Sequence, residues 1–216
     1  GAWVRLFLAS DRVSRQYTWN LLCAQARFFL ASLPGCLVAA IPLQDWMVDL
    51  LAQSGCAHSN DVIILKWESG MRMPEPQTRG IQVRKMEPQD LEAVTEVDHE
   101  AFLPLWRNSY PGLKTALAQA AVATVAVDST RIVGYQISTA SHMGGHIARL
   151  AVSPDCQGNN IGYALVYDAL RQFERKMTFR VSVNTQRDNP ISQSLYLKAG
   201  FRKTGEYYLV YQTAVP

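Results

Sequence analysis

No two cysteines in this sequence stand in CxxC spacing. The four present, Cys23, Cys36, Cys56 and Cys156, lie far apart along 216 residues. Zinc spacings and a disulfide framework are thereby disfavoured; no metal is expected, and a reduced, cytoplasmic setting is the default. No apolar run approaches the ~18 uninterrupted residues of a transmembrane helix, so no membrane partner is expected. Charge of either sign is sparse: charged residues make up 18% and the net charge is +3. A clustered basic face is the usual mark of nucleic-acid binding, and a balance this small does not suggest one. GxGxxG is absent and no GK[ST] follows a glycine-rich turn, which removes the dinucleotide-binding and P-loop readings. Gly1, without an initiator methionine, reads as a processing scar or a shortened chain and is set aside.

Apolar residues make up 48%, enough for a sizeable core in one large domain or two small ones. The segment from Trp67 to Gly80, WESGMRMPEPQTRG, carries two prolines, two glycines and no periodicity, and so reads as a linker. It divides the chain into residues 1–75 and 76–216. In the second part a strand is expected over Ile81–Arg84, and a helix from Pro88 with Leu91, Val94, Val97 and Phe102 on one face. Pro104 and Pro111 bracket a helix-like piece around Trp106. Ala121–Val127 and Ile132–Thr139 read as a hairpin about Asp128-Ser129-Thr130. Then come a strand over His146–Val152, a helix over Asn160–Arg175, a strand over Thr178–Val183, a helix over Pro190–Ala199 and a closing strand over Tyr207–Thr213.

The first part repeats the end of this order. VRLFLASDRVSRQYTWNLL from Val4 aligns without a gap on ARLAVSPDCQGNNIGYALV from Ala148, at an offset of roughly 144 residues, which reads as an internal repeat. Leu37–Ile41 then answers to the strand over 178–183, Trp46–Ser54 to the next helix, Gly55 to Gly200, and Val62–Trp67 to the closing strand.

The chemistry-bearing run is Gln157-Gly158-Asn159-Asn160-Ile161-Gly162, between an apolar strand and a helix. Glycines let successive amides turn into one concavity, and a helix start adds unpaired N–H donors and a positive dipole end. Such a turn can hold a pyrophosphate without a basic side chain, and it can equally be a plain helix-start loop. A second block, NPISQSLYLKAGF from Asn189 to Phe201, makes the pattern specific. With LAV at Leu150–Val152, the QGNNIG loop and this block, the chain resembles the GCN5-related N-acetyltransferase (GNAT) superfamily over about residues 80–215. One departure stands out. Asn160 occupies the position where the family usually has its middle glycine, and Asn tolerates a left-handed backbone better than other non-glycine residues. A weakened but working cradle is expected, one that Asn160→Gly tightens.

The resemblance implies an α/β (α+β) fold with a mixed, mostly antiparallel sheet flanked by helices, preceded by a partial repeat. It implies acetyl-CoA as co-substrate, an amine-bearing acceptor and direct acetyl transfer. Backbone groups of Leu150, Ala151 and Val152 would pair with the pantetheine arm as an added strand. Amides across Gln157, Gly158, Asn159, Asn160, Ile161 and Gly162, with Tyr163 beyond them, would hold the pyrophosphate. Asn189 and Ser192 would contact the arm from the other side, and Tyr196 would protonate the departing thiolate; the residue pattern alone also allows a core tyrosine.

For the base, strict alternation would point His146 the same way as Leu150 and Val152. An unperturbed histidine titrates near working pH, and a structural histidine fits the same position. His99 and Glu100 are further candidates for the acceptor groove, His142 reads as exposed, and Cys156 reads as a bystander. Trp106 and Tyr110 would either face an apolar amine or fill core. In the first part the loop reads VSRQYT, with Ser14 and Thr18 in place of Gly158 and Gly162, so no cofactor is expected there. Residues 1–75 read as a degenerate, non-catalytic GNAT-like half domain. Its sheet edge needs cover from the catalytic domain or from a second chain in a homodimer. A non-enzymatic acyl-CoA-binding or regulatory module remains the alternative.

Overall fold

The computed structural model describes residues 1–33, 35–70 and 73–214. In chain order the elements are β1 (Ala2–Val4), α1 (Arg15–Leu30), β2 (Leu37–Ala40), α2 (Asp45–Gln53), β3 (Ala57–Glu68), β4 (Ile81–Lys85), α3 (Leu91–Ala101), α4 (Tyr110–Ala118), β5 (Val122–Asp128), β6 (Arg131–Ser141), β7 (Gly144–Val152), α5 (Ile161–Arg175), β8 (Arg180–Gln186), α6 (Pro190–Lys198) and β9 (Arg202–Ala214). Short 3-10 turns lie at Pro88–Asp90, Pro104–Trp106 and Pro154–Cys156. Contacts group the chain into two units. One holds residues 1–62 and 186–188 with the chain end from Tyr207; the other holds residues 63–185 and 189–206.

In the larger unit β4, β5, β6 and β7 pair antiparallel in sequence order, and β7 pairs β8 in parallel. The sheet is therefore mixed and mostly antiparallel, as expected. Each helix covers one face because its apolar residues recur at helical spacing. Leu91, Val94 and Val97 of α3 join Tyr135, Ile137 and Ala151 in one cluster. Val166, Ala169, Leu170 and Phe173 of α5 join Ile147, Val181 and Val183 in the other. The order after Ile81 matches the sequence expectation, with one change. Only a 3-10 turn forms around Trp106, and Pro111 opens α4 instead of closing a helix. Proline is tolerated in a first turn, where its missing N–H has no partner to lose, and Ser109 caps that turn by accepting from the Gly112 amide at 3.3 Å.

The smaller unit pairs β1 with β2 in parallel, and β2 antiparallel with the last residues of β9, Tyr211–Ala214. Phe7, Trp19, Ala40, Leu50 and Leu51 form its core, with Tyr211 packed against them. The Trp19 indole N–H donates to Ser54 Oγ at 2.6 Å. Its elements β1, α1, β2, α2 and β3 follow in the same order as β7, α5, β8, α6 and β9.

Contacts divide the chain inside β3, between Val62 and Ile63, rather than at the expected 75/76. Leu65 and Trp67 are fully buried in the larger unit's cluster, so β3 does not end where the linker composition begins. The segment after it is tied down as well. The Ser69 amide donates to Phe179 O at 2.8 Å, and the Tyr163 hydroxyl donates to Pro74 O at 2.7 Å. Met71 and Arg72, part of the expected linker, lie outside the described residues. No helix among the described residues is long and apolar enough to cross a membrane.

Candidate active site

A cleft of about 440 Å³ opens in the larger unit where α5 begins. One wall is the end of β7, another the loop from Cys156 to Gly162, a third one face of α6, and Ala101 and Phe102 close the α3 side. It forms because β7 and β8 part. Their parallel register runs only from Gly145↔Val181 to Ile147↔Val183. Beyond it β7 continues to Val152 and β8 to Gln186 without pairing to each other, while β7 stays paired with β6 on its other edge. The backbone of Leu150–Val152 can therefore accept an extended guest as a strand.

The loop turns by two left-handed residues, Gly158 at φ +81° and Asn160 at φ +59°. No Cβ obstruction exists within 4 Å at Gly158, so that glycine serves backbone conformation. Gly162 serves packing instead, since a Cβ there would stand 3.2 Å from Leu195 Cδ2. Gln157 Nε2 donates to Val152 O at 3.1 Å and anchors the loop's start. Asn160 is the N-cap of α5, yet its side chain caps no amide. The first-turn N–H groups thus have no side-chain cap, an arrangement that suits an anion.

All the cofactor residues expected from sequence line this cleft except Asn159. The Asn159 side chain turns back to donate to Cys156 O at 3.1 Å. Ile161 and Tyr163 are buried, so their side chains serve the core more than a ligand. Asn189 Oδ1 accepts from the Ser192 amide at 2.9 Å, which makes this asparagine the cap of α6 as well as part of the wall. Tyr196 does not line the cleft. It is buried, with its ring edge-on to Phe201 at 5.5 Å, and burial holds its phenol well above the usual range and therefore protonated. Cys156 does line it, but burial, then its Asp155 hydrogen bond, raise its pKa, so it is held as a thiol.

The direction of His146 differs from the sequence expectation. The register of β6 and β7 skips Ala148, pairing Ile137 with Arg149 and Ser138 with Ile147. This bulge reverses the alternation. Ile147 packs with the α5-side cluster and Leu150 lies against it, while Ala151 belongs to the α3-side cluster. His146 thus lies on the face opposite Leu150 and Val152. Its Nδ1 is 3.0 Å from Ser182 Oγ, and burial lowers its pKa against the opposing effect of a backbone hydrogen bond with Ser182.

A buried polar cluster on the α3 face escaped the sequence reading. Asp98 is fully buried, and it accepts from the Tyr135 hydroxyl, from Arg149 Nε at 2.7 Å and from the Asn108 amide at 2.7 Å. Arg149 also donates to Trp106 O at 2.7 Å, and its guanidinium lies 3.5 Å over the Phe102 ring. His99 Nε2 stands 2.9 Å from Asn108 O. The segment from Phe102 to Asn108 is thereby clamped beside the cleft. A signal existed: Asp98 sits one helical turn after Val94 on the apolar stripe, where an unpaired carboxylate would be costly. Glu100 faces elsewhere, 3.8 Å from Arg131. His142 is exposed in a turn, as expected. In the smaller unit the corresponding helix start is already occupied, because Ser14 Oγ accepts from the Tyr17 amide at 3.3 Å.

A family model described as an acetyltransferase (GNAT) domain matches residues 91–210. An N-acetyltransferase of Methanocaldococcus jannaschii is 29% identical over 130 residues, covering 56% of this chain and 77% of that protein. Among solved structures, a GCN5-related N-acetyltransferase from Sphaerobacter thermophilus matches 92% of this chain with a TM-score of 0.70 at 20% identity; the chain spans 66% of its length. The PaiA N-acetyltransferase from Thermoplasma acidophilum, solved in complex with coenzyme A, matches 62% of this chain and 98% of its own, with a TM-score of 0.54 at 18% identity. At those identities the structures speak for the fold alone. The family match, which takes in the parted strands, the glycine-bearing loop and α6, covers more than half of the chain, and the chain belongs to the GNAT acetyltransferase family.

Proposed function

We propose that this chain transfers an acetyl group from acetyl-CoA to an amine by direct attack. The observation that carries this reading is the coincidence, in one cleft, of a strand end left open on its β8 edge and a helix start without a side-chain cap. The first suits a pantetheine arm, the second a pyrophosphate. The amine nitrogen would attack the thioester carbonyl carbon, and collapse of the tetrahedral adduct would expel the CoA thiolate. Tyr196, kept protonated by burial, would supply the thiolate's proton. His146, kept neutral at working pH by burial, shares its face with the clamped segment and would take the proton lost by the amine. Residues before Ile63 would be a degenerate, non-catalytic copy, since Ser14 fills the helix start that a phosphate would need.

The burial of Tyr196 outside the cleft wall favours one second reading, a module that binds acyl-CoA without turnover. Free thiol released from acetyl-CoA across a panel of amines separates the two. The proposal expects release with at least one amine class. It also expects a loss of about a hundredfold or more in Tyr196→Phe, and a smaller loss in His146→Gln. Binding of CoA with no release on any amine would establish the module instead.

A further inference from the structure

Lys198 is the only charged side chain among the described residues that line the cleft. Acetyl-CoA is a polyanion, so a cleft holding one cation and no carboxylate invites the question of what that cation is for. Lys198 lies in the last turn of α6, where a lysine can simply offset the negative end of the helix dipole. Its ammonium goes elsewhere. Nζ donates to Asn160 Oδ1 at 2.9 Å and lies 4.8 Å from the centre of the Tyr163 ring. None of the described carboxylates forms an ion pair with it. An ammonium has three N–H donors. One is spent on a neutral amide oxygen and the ring face takes a second, which leaves a donor for the cleft.

Asn160 completes the arrangement. Its left-handed backbone, φ +59° and ψ +10°, turns the loop where glycine would do the same. Its side chain, unused in capping α5, is the acceptor that fixes Lys198. A glycine here would keep the turn and release the lysine. The departure from the family pattern therefore adds something to this cleft.

We propose that Lys198 contacts the pyrophosphate of the bound acyl-CoA directly, and that Asn160 positions it. This rests on the acetyl-CoA reading of the cleft. A charge-assisted bond from an ammonium to a phosphate oxygen is stronger than a neutral one and weakens with salt.

Calorimetric titration of the full chain with CoA and with 3′-dephospho-CoA, at low and high salt, tests it. Wild type is expected to bind both. Lys198→Met is expected to lose about tenfold or more in affinity for both ligands, with the loss shrinking at high salt and Lys198→Arg recovering part of it. Against the tightening expected from sequence, Asn160→Gly is expected to weaken binding in the wild-type background, because it frees Lys198, and to do nothing further in Lys198→Met. Equal affinities in wild type and Lys198→Met would overturn the inference, as would tighter binding by Asn160→Gly. A loss confined to CoA and absent with dephospho-CoA would overturn the pyrophosphate assignment. No CoA binding by wild type would overturn the acetyl-CoA reading itself. Unchanged thermal melting of the variants shows that each outcome concerns binding, and Lys198 is exposed enough for that to be expected.

Discussion

Asp98 shows how much a single residue can decide at this site. Its carboxylate is sealed from solvent and joins Tyr135, Arg149 and the Asn108 amide at one point. Removing one partner of a buried ion pair strands the other charge, at a cost of about 3–5 kcal/mol. Asp98→Ala is therefore expected to lower stability by that order in a denaturant melt. The clamp on Phe102–Asn108 would loosen with it, while the cofactor side of the cleft stays intact. The kinetic expectation is a raised acceptor KM with an acetyl-CoA KM close to wild type; equal damage to both would mean that the cluster serves only the fold. Residues were also where the sequence was least legible. Gln157, Gly158 and Gly162 announce themselves because glycine and loop chemistry are local. Asp98 and Arg149 lie 51 positions apart, and pairing at that distance leaves no local trace beyond one carboxylate on an apolar stripe.

At the scale of elements, most of the larger unit was legible, because α3 and α5 each carry a clean helical stripe and β5–β6 a clear hairpin. Two local rules misled. Pro111 read as the end of a helix and proved to be the start of one. Alternation along β7 failed at Ala148, since a bulge obeys the partner strand's register and that is invisible in one strand's own sequence. The comparison of α1 with α5 is the most informative pair. Each follows a strand and a loop, but the helix start is capped in one, through Ser14, and open in the other, through left-handed Gly158 and Asn160. Gly158→Ala forces a Cβ into the left-handed region at about 1–2 kcal/mol, with no steric clash to add. It is expected to weaken CoA binding several-fold while melting within a few degrees of wild type. Unchanged CoA affinity would mean that the loop does not touch the phosphates.

For the molecule as a whole, composition suggested a boundary near residue 76, and packing places it elsewhere. Prolines and glycines after Ser69 look like a linker, but Leu65 and Trp67 just before them are core to the larger unit. A chain starting at residue 76 would leave that space empty, and losing a buried Leu or Trp costs about 2–5 kcal/mol each. Such a fragment is expected to be largely unfolded at room temperature by circular dichroism, whereas one starting at Ala57 should keep a cooperative melt. Similar melts for both would show that β3 is dispensable.

The pairing of β2 with Tyr211–Ala214 also has a consequence for the order of events during synthesis. Residues 1–62 of the smaller unit are made well before Tyr211, which packs against its core. The earlier residues must wait for the later one. A contact of such sequence separation is slow to form because the intervening loop must close before any gain arrives. The amino-terminal residues, with Leu6, Leu8, Phe28 and Phe29 exposed even in the finished fold, would spend that interval uncovered. Apolar surface left open in this way is prone to association until the later strand arrives.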